Sequence, residues 1–542
     1  MTARTRTDLL LLAGFSAFLF FYGLGSFGLI GADEPRYAQV AREMLARREW
    51  ITPLLGGRPW LEKPPLYYWQ AMLSYSVLGV SDVAARVPSA VDATLLVIIV
   101  YLFFRKFRRG VEVDAALITA SCAGVIGYAR AASMDMPLTA AFAAGMIAWW
   151  AWRESGNKIY LAAFYACLAL GMLAKGPVAP FLAAVVIVLF AAAVREWGLI
   201  VKTLWVPGVV LFCAVGFPWY FAVQAANPQF FREFILQHNL ARFSTNVYHH
   251  PEPFWYYVPV TALALVPWIV FVVAAFTGPV RVWWSERKTE HSSPDFELQF
   301  SIFAACWLIV PVVFFSLSRS KLPGYIVPAV PAGAVLLAEY LRRHVDGEEA
   351  NSKWTVMLHA LVASAPIGPA VLIGFVLGEN RFPAGRPMLF GVVLALVVSV
   401  AIALTLMSRF GLRMLRFVTL IPVVLSVAAV LKLGSSAVDL KLSSRPLAME
   451  LASVETHRLP LAVYGVPREV EYGLAFYRDQ AILRYESGNI PPAEHLLVAP
   501  TSWMDNVAKT TAGRRVSFLG HFTPRQLDYF WVSAAPRTRS EP

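Results

Sequence analysis

At 542 residues, with 58% hydrophobic residues, 15% charged residues and a mean hydropathy of +0.56, the chain is too apolar for a soluble globular protein and reads as polytopic in a membrane. Its 47 basic and 35 acidic residues leave a formal charge of +12, which in a soluble domain would suggest nucleic acid. Here the excess falls in short loops, as positive-inside topology requires, so no nucleic-acid partner is expected. Cys122, Cys167, Cys213 and Cys306 all lie in apolar segments without metal-ligand spacing and are expected as small core residues, with no disulfide framework.

Arg4 and Arg6 precede an apolar run from Asp8 to Ile30, long enough to cross a ~30 Å hydrocarbon core. Its length, and the poor small-residue pair Ile30 and Ala32, favour a retained signal anchor over a cleaved signal peptide. Further spans are expected at Ala84–Phe104, Ala115–Tyr128, Pro137–Trp152, Tyr160–Leu173, Val178–Val194, Leu204–Val223, Tyr256–Phe276, Leu298–Leu317, Tyr325–Leu341, Trp354–Leu377, Met388–Met407 and Leu415–Leu433. That makes about thirteen, and it puts the basic loops RKFRR, RESGNK, REWGLIVK, RVWWSERK and RRHVDGEE in the cytoplasm. The fold class is therefore mainly α: a transmembrane domain over residues 1–433 with extracytoplasmic juxtamembrane helices. From residue 434 charge rises and short apolar runs such as LPLAVYGV and HLLVAP read as strands, so residues 434–542 are expected as a small extracytoplasmic α/β domain.

The same topology exposes the stretch Gly31–Trp69 and the loops ARAASMDMP, AKGP, QHNLARFSTNVYHHPEP and SRSKLPGY on one outer face. Several carry positive charge on the wrong side of the membrane, and ionisable groups beside a bilayer are functional candidates. Asp33 and Glu34 follow the first span, ahead of Pro35 at the first turn of a helix. By spacing alone Asp33 serves equally as a helix cap or as a catalytic carboxylate. Lys63, before two prolines and the aromatics of LYYW, is poorly explained as an interfacial anchor and reads as a phosphate ligand. Asp135 and Lys175 are loop residues with turn or capping readings of their own, but with Arg319, Lys321 and Tyr325 they make a polar ring on one face. His249, His250 and Glu252 offer donors for a divalent metal together with Glu62, in competition with interfacial packing. No nucleotide loop appears in a strand-to-helix context, so no nucleotide cofactor is expected.

The motifs ADEPRYA, EKPPLYYW, SMDMP, AKGP, YHHPEPFWYY and SKLPGYIVP occur in the order seen in GT-C integral-membrane glycosyltransferases related to protein O-mannosyltransferases. Within that group the chain most resembles the bacterial aminoarabinose lipid A transferases. The resemblance covers about Gly31 to Pro328. It implies an inner-membrane enzyme that moves a sugar from a polyprenyl-phosphate donor to an extracytoplasmic acceptor, lipid A first among them. It implies Asp33 and Asp135 as the catalytic carboxylates. Arg36, Lys63, Lys175 and Tyr325 would form the phosphate clamp and Tyr37 would line the cavity, with Glu62 and a histidine of the YHH segment as the metal position. The competing functions are transfer to protein or polysaccharide by the same chemistry, and lipid or solute transport. Transport predicts charge nearer mid-span and paired broken helices.

Overall fold

The computed structural model describes residues 3–234, 252–289, 294–344, 352–376, 385–408, 411–488, 490–511 and 513–535. Helix α1 (Ala3–Ser16) passes into a π-helical turn at Ala17–Phe21 and ends at an extended Tyr22. The carbonyls freed there are not left bare: Arg130 donates to Leu19, Tyr22 and Gly23, each at 3.0 Å. Helix α2 (Asp33–Arg47) then lies outside the spans and stops where Arg48 turns left-handed, φ 53°. A two-stranded hairpin, β1 (Leu54–Leu55) and β2 (Arg58–Pro59), folds back on α2, because Glu43 accepts from the backbone of Gly56 and Gly57.

Helix α3 (Leu66–Leu78) starts at the two prolines and packs on α2 and on α4 (Asp82–Phe107). Ser81 caps α4 by accepting from Ala84 N. At about 1.5 Å per residue its 26 residues run roughly 39 Å, enough to cross. Helices α5 (Glu112–Ser121) and α6 (Ala123–Ala129) form one span bent by 64° at Cys122, where Val266 O receives the Ala123 N–H. Helix α7 (Asp135–Ser155) and helix α8 (Lys158–Lys175) form an antiparallel pair, followed by α9 (Val178–Val194).

Each of the thirteen expected spans overlaps a helix, the first only as far as Phe21, but among the described residues eight are long and apolar enough to cross, or ten if each bent pair is one span. The count of thirteen is not reached, for physical reasons. Helix α1 has 14 residues before its π turn, α9 has 17, and α7 carries Asp135, Arg153 and Glu154 near its ends. The last span runs Gly411–Leu442 without interruption, so the expected boundary at residue 433/434 falls inside a helix.

The sheet of the C-terminal part has the order β4-β3-β5-β7-β6. Strand β3 (Leu461–Val463) is parallel to β4 (Leu483–Arg484) and β5 (His495–Pro500), while β7 (Leu527–Val532) is antiparallel to β5 and β6 (Val516–Phe522). Alternate residues feed two cores, Leu461, Leu496 and Tyr529 on one face, Ala462, Leu497 and Phe530 on the other.

The two ends of the bundle differ chemically. At one end Arg108 pairs with Glu154, and Arg342 and Arg343 pair with Glu339 at 2.8 and 3.0 Å. At the other end Asp82, which opens α4, accepts from Tyr477 and Arg445 of the C-terminal part. That end also carries α2.

Candidate active site

Adjacent acids on α2 have opposite fates. Glu34 is 6% exposed and accepts four hydrogen bonds: Arg86 Nε at 3.0 Å, Arg86 Nη2 at 2.6 Å, Ile30 N at 2.8 Å and Ala132 N at 2.7 Å. Arg86 spends its remaining donors on the carbonyls of Leu24, Phe27 and Gly28. A buried ion pair this fully bonded is fixed structure. It ties the end of the first span, the start of α2 and the loop before Asp135 to α4.

The side chain of Asp33 is 52% exposed and pairs with Arg36 at 2.5 Å. It is the first residue of α2, the cap position falls to Ala32, and no side chain caps the helix. The capping reading of Asp33 is thereby removed, since its carboxylate points at a guanidinium and not at the orphan N–H groups.

Arg36 is buried among aromatic rings from three elements: Tyr37 at 5.0 Å, Trp60 at 5.2 Å and Tyr472 at 5.5 Å from its guanidinium carbon. Burial alone would pull Arg36 down, but Tyr37, Asp33 and Glu62 outweigh it and hold the guanidinium above its ordinary value. Burial, then Asp33 and, more weakly, Asp135 push the Tyr37 phenol up against the opposing pull of Arg36. Both acids therefore act on one hydroxyl. Among the described residues, Arg36 Nε, Trp60 Nε1 and Tyr68 Oη are buried without a hydrogen-bond partner. Three unmet donors in one neighbourhood suit an anion.

Asp135 forms the second acid–base pair, with Lys175. Lys175 also lies 4.7 Å from the centre of the Tyr325 ring, so SMDMP, AKGP and SKLPGY meet at one place. Gly324 makes room for the carboxylate: a Cβ there would sit 2.8–2.9 Å from the Asp135 side-chain atoms. Asp135 opens α7 with no side-chain cap on the helix, so its capping reading falls as well.

The rest of the expected ring is less convergent. Lys63 is half-buried beside the buried Leu61, and Glu62 acts on Arg36 and Tyr68 electrostatically. Lys321 is buried and donates to Ser318 O within its own loop; burial pulls its ammonium down, with Glu252 opposing. Arg319 is exposed. Lys321 thus braces its own loop through the Ser318 carbonyl. His249 and His250 lie outside the described residues, and among the described residues no three His, Cys, Asp or Glu side chains converge. Of the candidate metal donors Glu62 and Glu252 can be placed, Glu252 exposed.

Three contributors were not read from the sequence: Arg86, Trp60 and Tyr472. Arg86 had a signal, being an arginine two residues into an expected span. Trp60 and Tyr472 had none, because only the tertiary fold brings them to Arg36.

Residues 7–232 match the family model of dolichyl-phosphate-mannose-protein mannosyltransferase. An undecaprenyl phosphate-alpha-4-amino-4-deoxy-L-arabinose arabinosyl transferase of Pseudomonas aeruginosa is 31% identical over 347 residues, 62% of this chain and 60% of that protein. The match thus spans about three fifths of the length of the first relatives. One of the same name from Pseudomonas fluorescens is 27% identical over 522 residues, 91% of each chain. The crystal structure of ArnT from Cupriavidus metallidurans bound to undecaprenyl phosphate superposes with a TM-score of 0.76 at 23% identity, covering 99% of this chain and all of that one. The apo form of that protein also gives 0.76. The resemblance first read from the motifs is borne out, and the fold is that of the Cupriavidus protein.

Proposed function

We propose that this chain is an integral-membrane glycosyltransferase that moves an aminoarabinose-like sugar from undecaprenyl phosphate to lipid A. The reading places it in a bacterial inner membrane, with the site on the extracytoplasmic face. One observation carries it: two acid–base pairs, Asp33 with Arg36 and Asp135 with Lys175, whose acids both act on Tyr37, beside buried donors that lack an acceptor. The support from relatives is that an arabinosyl transferase is similar to this chain over 91% of its length.

In the transfer, the bond between the sugar's anomeric carbon and the donor phosphate breaks as an acceptor oxygen bonds to that carbon from the opposite side. Negative charge grows on the departing phosphate. Arg36, Lys63 and Lys175 supply cations for it, and Tyr325 a hydroxyl; the carboxylates hold Arg36 and Lys175 in place before the donor arrives. With a hydroxyl acceptor Asp33 takes the proton. With a phosphate acceptor, already an anion, Asp33 orients it and stabilises positive charge at the anomeric carbon. Half-exposure suits Asp33 to meet substrate, as burial does not suit Glu34. Of the candidate metal donors, Glu62 and Glu252 are the two among the described residues, and a divalent ion held there would supply positive charge beside the departing phosphate.

The test is transfer in proteoliposomes containing the purified protein, undecaprenyl-phosphate aminoarabinose and lipid A, read by mass spectrometry. Lipid A heavier by one aminoarabinose residue, in step with release of undecaprenyl phosphate, is the expected result. Sugar found on protein or glycan would reassign the acceptor. Movement of lipid across the bilayer without a new covalent product would replace the enzyme with a transporter.

A further inference from the structure

The C-terminal part of the chain touches the site through the helix Arg468–Arg478, packed directly on α2. Phe476 joins the same buried cluster as Tyr37, Val40, Met44, Tyr67 and Tyr68, and one turn earlier Tyr472 lies over the guanidinium of Arg36. The contact is held in place on both sides. Arg42 pairs with Asp479 at 2.9 Å and donates to Phe476 O, while Tyr477 donates to Asp82 at 2.6 Å and receives the Leu29 N–H. Gly473, beside Tyr472, approaches Ser444 so closely that a Cβ would sit 2.5 Å from its hydroxyl, so this helix has little freedom to slide.

A guanidinium is planar and binds anions through its edge, and rings against its faces fix which way that edge points. Tyr37 and Trp60 come from the same juxtamembrane stretch as Arg36. Tyr472 comes from more than 400 residues later and has no other assigned role.

We propose that Tyr472 is a positioning residue for Arg36, so that the C-terminal domain forms one wall of the transfer site and is not an appendage to it. This rests on the phosphate-clamp reading of Arg36 given above. Tyr472 touches no reacting atom in it. Its ring excludes water from the guanidinium and holds the plane in which Arg36 meets Asp33 and the departing phosphate.

The experiment compares full-length wild type with Tyr472→Ala, Tyr472→Phe, Arg36→Lys and the double variant Tyr472→Ala/Arg36→Lys in the proteoliposome assay, alongside thermal unfolding. Tyr472→Ala is expected to lower kcat roughly tenfold, the scale of a desolvated cation–π contact. Tyr472→Phe should keep most of the turnover, and Tyr472→Ala should cost little more once Arg36 is already Lys. Tyr477→Phe, at the same interface but away from Arg36, should lower the unfolding temperature and leave kcat near wild type. Additive losses in the double variant, or equal losses in kcat from Tyr477→Phe and Tyr472→Ala, would make Tyr472 ordinary interface packing and overturn the proposal. Full activity of Tyr472→Ala would do the same while leaving the transferase reading intact. A wild-type protein that transfers no sugar and binds no undecaprenyl phosphate defeats that reading, and this inference with it.

Discussion

Arg86 binds both oxygens of Glu34, through Nε at 3.0 Å and Nη2 at 2.6 Å, across 52 residues of sequence and with both side chains almost wholly buried. The pair sits one residue from Asp33, and through Ala132 N it reaches the loop that ends at Asp135. The spacing of the two candidate catalytic acids is therefore set by a carboxylate that meets no substrate.

Glu34→Gln should accordingly be the most destabilising of the acid-to-amide changes. Leaving Arg86 charged, buried and half-paired costs about 3–5 kcal/mol. Thermal unfolding in detergent and the yield of monodisperse protein are the measurements. A Glu34→Gln protein as stable as wild type would show that the pair is dispensable.

Asp33→Asn should do the reverse. Its carboxylate caps nothing and is half exposed, so the fold should keep its unfolding temperature while transfer falls by about 10²-fold or more. Retention of turnover in a well-folded Asp33→Asn protein would move the chemistry to Asp135.

Gly324→Ala tests the second pair without touching either member. The added methyl would fall within 2.9 Å of the Asp135 carboxylate, which can swing aside at small cost in stability but must then leave Lys175. Displacements near 1 Å at a catalytic group cost up to about 10²-fold, so turnover should drop between tenfold and that limit while unfolding barely changes. Normal kinetics would mean the exact placing of Asp135 is unimportant.

The C-terminal sheet carries its own acid sensitivity. His495 is fully buried on β5, bonded to Tyr485 Oη and Ala493 O, and burial lowers its pKa from the ordinary 6.5. Above pH 6.5 the imidazole is neutral whether folded or unfolded, so this group adds no pH dependence there. Below it the unfolded chain takes up the proton first, and stability falls until the folded state titrates too. Unfolding temperatures at pH 7.5 and 5.5 should differ in wild type, and the gap should narrow in His495→Gln, whose amide does not titrate.

What the sequence made legible follows from how local each cause is. Arg36, Lys63 and Lys175 could be picked out because positive charge in short outer loops contradicts the topology, an anomaly visible one loop at a time, whereas the roles of Asp33, Asp135 and Tyr325 came from the motif resemblance. Whether Asp33 caps a helix could not be decided, since that depends on a one-residue shift in where α2 begins. Lys321 looked like its neighbours in the ring, but the fold turns it onto the Ser318 carbonyl. The structural role of Glu34 is not legible locally, because its partner, Arg86, lies inside the next span. The thirteen apolar runs each overlap a helix, yet composition could not foresee the π turn after Ser16 or the bend at Cys122.

The contact between Arg36 and Tyr472 also sets a clock on biosynthesis. Chains emerge from the ribosome N-terminus first, so α2 is made early and waits for almost the whole of translation before the helix Arg468–Arg478 exists. A nascent or truncated chain ending near residue 440 holds every motif by which the site can be recognised, but has an open side where Tyr472 belongs. On the positioning role proposed for Tyr472, full turnover therefore waits for the last fifth of the chain, made after the apolar segments.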